Sequence, residues 1–194
     1  MRILSIISTV VALCCIQAHG QYFPKSSLDL RGDEFKSQWY SSQLRALKEP
    51  SLLALTKTSS SESYRFLWLR TFHHPIAVRL NVRPDGTSIL TKKIASGAGG
   101  YRPGTLTEDN SRPLTREQTR KFLSCVDKVN FWTAPNPIED QAGTDGSQWI
   151  IEAVKGKHYH VVDRWMPKNG VAFELGRLLA FELGKINIPK NEMY

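Results

Sequence analysis

Residues 147–166, SQWIIEAVKGKHYHVVDRWM, decide how this chain is read. Two runs rich in β-branched and aromatic residues, 147–154 and 158–166, flank Lys155-Gly156-Lys157, which is the pattern of a β-hairpin. Strand side chains alternate between faces, so the pairing register decides which of them meet. A three-residue loop at 155–157 pairs Ala153 with Tyr159 and Ile151 with Val161. It gathers Trp149, Ile151, Ala153, Tyr159, Val161 and Trp165 on one face. A two-residue turn at Gly156-Lys157 would instead set Trp149 and Ile151 beside His160 and Arg164. Burial of apolar surface favours the three-residue loop, which is the register expected here. His158, His160 and Glu152 then share the opposite face, with Glu152 across from His160.

Working outward, Asn169 is placed to cap a last helix over about 171–183, stopped by Gly184. Upstream, Thr115 and Gln118 form a capping box that opens a helix to about Asn130, with Phe122, Val126 and Val129 as its buried stripe. Before it lies Ser96–Arg112, long, glycine-rich and read as an irregular loop. A first set of strands precedes that loop. Tyr64–Phe72 is apolar on both faces. Residues 76–83 alternate Ile76, Val78, Leu80 and Val82 with Ala77, Arg79, Asn81 and Arg83. Pro84-Asp85-Gly86 turns the chain into a strand over 87–95. Further upstream, Asp33 is placed to cap a helix over 34–48, and residues 21–32 read as an extended arm. Ser51–Leu55 adds a short helical turn, and 56–63 is a polar loop. The order of helix, three strands, helix, two strands, helix, without βαβ alternation, predicts an α+β fold. Two antiparallel hairpin regions form a sheet, with helices packed on one face. The divisions expected are an export segment 1–20, an arm and helical segment 21–63, the main domain 64–188 and a tail 189–194.

The first twenty residues carry Arg2, an apolar run from Ile3 to Ile16, and Ala18-His19-Gly20 with small residues where a signal peptidase reads. They predict an exported chain, periplasmic or extracellular, with no spanning segment after the cleavage point. A lipid-modified Cys14 or Cys15 is the competing reading, disfavoured because Leu13 and Cys14 stand where a small residue is expected. Removal of the segment leaves Cys125 as the one cysteine of the mature chain, which excludes an intramolecular disulfide framework. With 26 Lys and Arg against 18 Asp and Glu, the formal net charge is +8, which favours an anionic envelope component or acidic protein as partner. The compartment argues against nucleic acid.

One resemblance follows from the run that begins at Asp85-Gly86. It passes through the capped helix, Asn130-Phe131-Trp132 and Pro135 to Asp145–Trp149 and Tyr159–Trp165. Over about residues 64–184 this pattern resembles an uncharacterised group of bacterial exported α+β domains. The resemblance implies a bacterial envelope setting and a hairpin–helix–hairpin–helix order. It carries no activity and no site residue.

Several constellations have chemical potential. His158 and His160 alternate on one strand and, with Glu152, form a three-ligand set for a zinc ion with an open position. The competing reading is a sheet surface with a Glu152–His160 cross-strand pair. His73 and His74, being neighbours, point to opposite faces. Glu152, Asp163 and Asp145 supply carboxylates for an acid–base pair of the glycosidase kind, although paired carboxylates arise readily by chance. The glycine-rich loop, Gly97, Gly99, Gly100, Tyr101 and Arg102, offers backbone amides and a charge to an anion, but lacks the lysine and hydroxyl of a nucleotide loop. Arg79, Arg83, Lys92 and Lys93 read as a basic stripe on the outer face of the first strands. Cys125 reads as a small buried hydrophobe, and Arg31-Gly32-Asp33 as a chance match to an adhesion tripeptide. The function expected is a non-enzymatic, exported binding or inhibitor-like module for an envelope protein or polyanion, using the glycine-rich loop with Arg79 and Arg83 and no cofactor. The alternative is a zinc-dependent hydrolase built on His158, His160 and Glu152.

Overall fold

The computed structural model describes residues 21–58, 60, 62–138 and 143–194; the export segment read in residues 1–20 lies outside that set. The elements are α1 (Asp33–Ala46), α2 (Leu52–Leu55), β1 (Glu62–Arg70), β2 (Ile76–Val82), β3 (Ser88–Ala95) and β4 (Leu106–Pro113). They continue with α3 (Arg116–Lys128), β5 (Ser147–Lys155), β6 (His158–Trp165) and α4 (Gly170–Arg177), which runs on as a wider π turn over Leu178–Leu183. The strands form one antiparallel sheet in the order β4-β3-β2-β1-β5-β6. Among the described residues no helix is long and apolar enough to cross a membrane.

The central strand β1 explains the architecture. Its residues from Ser63 to Arg70 are all buried, so both faces of the sheet are covered. Tyr64, Phe66 and Trp68 pack with Val78, Leu80, Trp149 and Ile151 under Phe122 and Val126 of α3 and Leu175 and Leu179 of α4 and its π turn. Leu67 and Leu69 pack on the other face with Ala77, Ile150 and Val161 under Tyr40, Leu44 and Leu47 of the α1 segment and under Phe23 and Leu28 of the arm. Each fully buried side chain of this kind contributes about 1.5–3 kcal/mol relative to exposure. The expectation of helices on one face is therefore corrected: α1 and the arm cover one face, here the N-terminal face, and α3 with α4 cover the C-terminal face.

The register of the β5–β6 hairpin is also corrected. Lys155 pairs with His158, Ala153 with His160 and Ile151 with Val162, a two-residue turn at Gly156-Lys157. Gly156 has φ +58°, the positive φ that such a turn needs at its first central position. Trp149, Ile151 and Ala153 thus share the C-terminal face with Val162, while Tyr159 and Val161 join Ile150 and Glu152 on the N-terminal face.

Residues 106–112 of the segment read as an irregular loop belong instead to strand β4, paired with β3 from Ile89–Pro113 to Ala95–Leu106. The helix at 116 starts as expected, with both capping-box bonds between Thr115 and Gln118 formed. Asp33 does not cap α1. Its carboxylate accepts from the Ser26 and Leu28 amides at 2.7 and 2.8 Å and folds the arm into turns rather than an extended strand. Residues 189–194 dock on the sheet end: Arg70 Nη1 lies 2.9 Å from Glu192, and His73 Nδ1 lies 2.6 Å from the Tyr194 hydroxyl. The outer edge of β6 is occupied by Asn136, whose side-chain oxygen accepts from the Asp163 amide at 3.1 Å.

Candidate binding site

The two-residue turn separates the expected zinc ligands. Glu152 lies on the N-terminal face, fully buried and bonded to Arg65 Nη2. His160 lies on the C-terminal face, its ring 5.1 Å from Phe131, and His158 stacks on Trp132 at 5.2 Å. Burial lowers the His160 imidazole below its ordinary range, and its buried Nε2 has no hydrogen-bond partner. His73 and His74 sit at the opposite end of the sheet. Among the described residues no group of three or more His, Cys, Asp or Glu side chains is arranged to hold a metal ion. The carboxylate pair fares similarly. Asp163 accepts from Tyr40 Oη at 2.9 Å and Lys36 Nζ at 3.0 Å, Glu152 is held by Arg65, and Asp145 is exposed.

In the glycine-rich loop the three glycine amides are engaged within the protein. Gly97 N donates to Pro103 O at 2.8 Å, Ala98 N to Arg102 O at 3.1 Å, Gly99 N to His73 O at 2.9 Å and Gly100 N to Thr71 O at 3.1 Å. A Cβ on Gly99 would stand 2.7 Å from the Arg70 backbone, so the glycine is required by close approach. The Gly99 carbonyl in turn accepts from Trp39 Nε1 at 2.7 Å and Gln43 Nε2 at 3.0 Å, tying the loop to α1. Its exposed part is aromatic: Tyr101 is 63 % and Phe72 57 % accessible, their rings 6.1 Å apart, and Arg102 is exposed beside them.

The expected basic stripe is dispersed. Arg79 and Lys93 turn to the N-terminal face, where Arg79 Nε lies 2.9 Å and Lys93 Nζ 3.3 Å from the buried Glu49 carboxylate. Lys92 points to the other face and pairs with Glu108 at 2.6 Å. Arg83 is exposed at the β2–β3 turn. Burial works to raise the Glu49 carboxyl, but Arg65, Arg79 and Lys93 outweigh it and hold the group below its ordinary value. Burial raises Glu152, and the single guanidinium of Arg65 only partly offsets it. Cys125, half-buried, has its thiol pushed up by burial, which leaves it a poor nucleophile.

A constellation that the sequence reading missed lies on the C-terminal face at the end of β1 and β5. Trp68 and Trp149 are cross-strand neighbours with ring centroids 5.2 Å apart, and both are buried. Phe173 of α4 stacks on Trp149 at 6.0 Å, and Phe181 of the π turn meets Trp68 edge-on at 5.7 Å. With Met166, Met193 and Tyr194 they line a cavity of about 340 Å³. Lys168 and Arg177 line it as well, both exposed to solvent, and no acidic side chain belongs to the lining. Gly176 makes the floor fit: a Cβ there would stand 2.6 Å from the Trp149 ring. A larger hollow of about 600 Å³ borders the arm, but it mixes both charges, and its Asp29 and Asp33 carboxylates are engaged in folding the arm. The aromatic cavity is the better candidate, being concave and apolar with few charged side chains, Lys168 and Arg177. No known protein family's model matches the chain, and no curated protein matches it.

Proposed function

We propose that this chain is an exported binding module that takes a small ligand with an apolar face into the aromatic cavity between β1, β5 and α4. The observation that carries this reading is a pair of buried tryptophans at the base of a cavity whose charged side chains, Lys168 and Arg177, are both cations. Tryptophan and phenylalanine faces give large contact area at small entropic cost, which suits recognition rather than bond-making. The lining holds no His, Cys, Asp or Glu side chain, the commonest carriers of acid–base and nucleophilic chemistry. Ligand-observed NMR with a mixed set of aromatic and aliphatic small molecules tests the reading. Hits should perturb the Trp149 indole signal and weaken by about tenfold in Phe173→Ala or Phe181→Ala. Absence of hits, or hits indifferent to both substitutions, would remove it.

A second reading is supported by the exposed aromatic group around the glycine-rich loop. Phe72 and Tyr101 form an exposed aromatic face beside Arg102, and Phe35, 70 % accessible, lies 5.9 Å from Trp39 of α1, whose indole bonds the same loop. On a chain of net charge +8, this face suits an acidic protein of the envelope as partner. Loss of capture of such a protein on Phe72→Ala with Tyr101→Ala, with folding unchanged, is the outcome expected.

A further inference from the structure

We infer that the cavity selects a planar aromatic anion, a fused ring system bearing a single carboxylate, and the inference rests on the cavity being the binding site. The walls set the shape. Trp68 and Trp149 are tilted at 54°, Phe173 lies at 28° to Trp149, and Phe181 stands at 86° to Trp68. A flat ring entering between such faces meets offset and edge-on partners, each adding to simple burial, whereas a flexible chain loses rotamer freedom and gains no ring contact. At about 340 Å³ the space is at the small end for ligand sites, which favours a compact ring system over a long acyl chain.

The floor sets the polarity of the inserted end. Its two indole donors are committed: Trp149 Nε1 donates to Ser147 Oγ at 3.0 Å and Trp68 Nε1 to the Tyr194 main-chain oxygen at 3.4 Å. A polar ligand group pushed to the floor would lose water and find no partner there. The acid group therefore stays outermost, and Lys168 and Arg177 are the exposed, charged members of the lining. The Arg177 guanidinium is held 5.5 Å from the Phe173 ring centre, which fixes its charge beside the ring wall. An arginine so held offers a fork of donors to a carboxylate, while a cationic ligand meets two like charges.

Titration of the full chain with naphthoate, naphthylmethylammonium and octanoate tests this, read by the indole N–H signals of Trp68 and Trp149 and by tryptophan fluorescence. Naphthoate should bind about tenfold or more tightly than either of the others. Lys168→Gln with Arg177→Gln, both at exposed positions, should weaken naphthoate by about tenfold and leave naphthylmethylammonium unchanged or tighter. Equal binding of naphthoate and naphthylmethylammonium, each weakened by Phe173→Ala, would keep the cavity as a site and overturn the anion. Octanoate matching naphthoate would overturn the aromatic requirement. Unmoved indole signals with all three probes would remove the cavity itself as the site, and the ligand class with it.

Discussion

The two faces of the sheet are both buried, yet they are held by different forces. On the N-terminal face β1 sends in Ser63, Arg65, Leu67 and Leu69. Arg65, wholly inaccessible, bridges Glu152 of β5 and Glu49 of the α1–α2 link, with Arg79 and Lys93 closing on Glu49. On the C-terminal face the same strand sends in Tyr64, Phe66 and Trp68, and its cover is overwhelmingly apolar. Directional bonds tell the first face which segment must lie on it, because a buried charge tolerates no substitute partner. On the second, apolar packing carries most of the fit, joined by the Ser88–Thr119 hydroxyl pair and the Arg112 bond to the Leu183 carbonyl.

Removing the cation at the centre of the polar face should have the largest effect. Arg65→Met leaves Glu152 without its partner and Glu49 with one fewer, and should cost about 3–5 kcal/mol in equilibrium urea unfolding. A loss below about 1 kcal/mol would mean that the ion pairs do not organise that face. On the apolar face, Gly176→Ala drives a methyl into the Trp149 ring and should cost about 1–3 kcal/mol. It should also displace Trp149 into the cavity and weaken naphthoate, so unchanged affinity would separate the floor from the site. The subtlest contrast is in acid. Because Glu49 is held below its ordinary value of 4.5, its contribution is present above that pH and is lost as pH falls through the lowered folded value. Glu152, raised by burial, has the opposite sign: its carboxylate form is disfavoured by folding, so its share of stability declines as pH rises through its folded value. Glu49→Gln should flatten the acid limb of stability measured by thermal melts from about pH 6 to about pH 3, whereas an unaltered limb would place the titrating group elsewhere.

The same contrast explains what the sequence makes legible. Alternation over Ile76–Val82 and the Thr115–Gln118 capping box rest on neighbours a few residues apart, and both elements form where they are read. The β5–β6 register does not yield to that logic. Choosing it by burial assumes one wet face, and here both are dry. Glu152 looks like a surface residue until Arg65, 87 positions away in sequence, is seen beside it. Strand β4, with the sequence LTEDNSRP, has only Thr107 as a β-branched residue, and its pairing with β3 rests on the backbone. The cavity is invisible for a similar reason. Its aromatic residues come from β1, β5, α4, the π turn and the C-terminal segment, and only the fold adds them together.

The two rims of the sheet are closed in different ways. On one, Asn136 already satisfies the outward amide of Asp163, and Arg164 reaches the Pro135 carbonyl at 2.5 Å. On the other, β4 displays Glu108, Asp109 and Arg112 along its free border. A stray strand arriving at either rim meets an occupied hydrogen bond or a run of charged side chains. The six-stranded unit is thus terminated at both ends, and concentrated protein should stay dispersed rather than polymerise edge to edge.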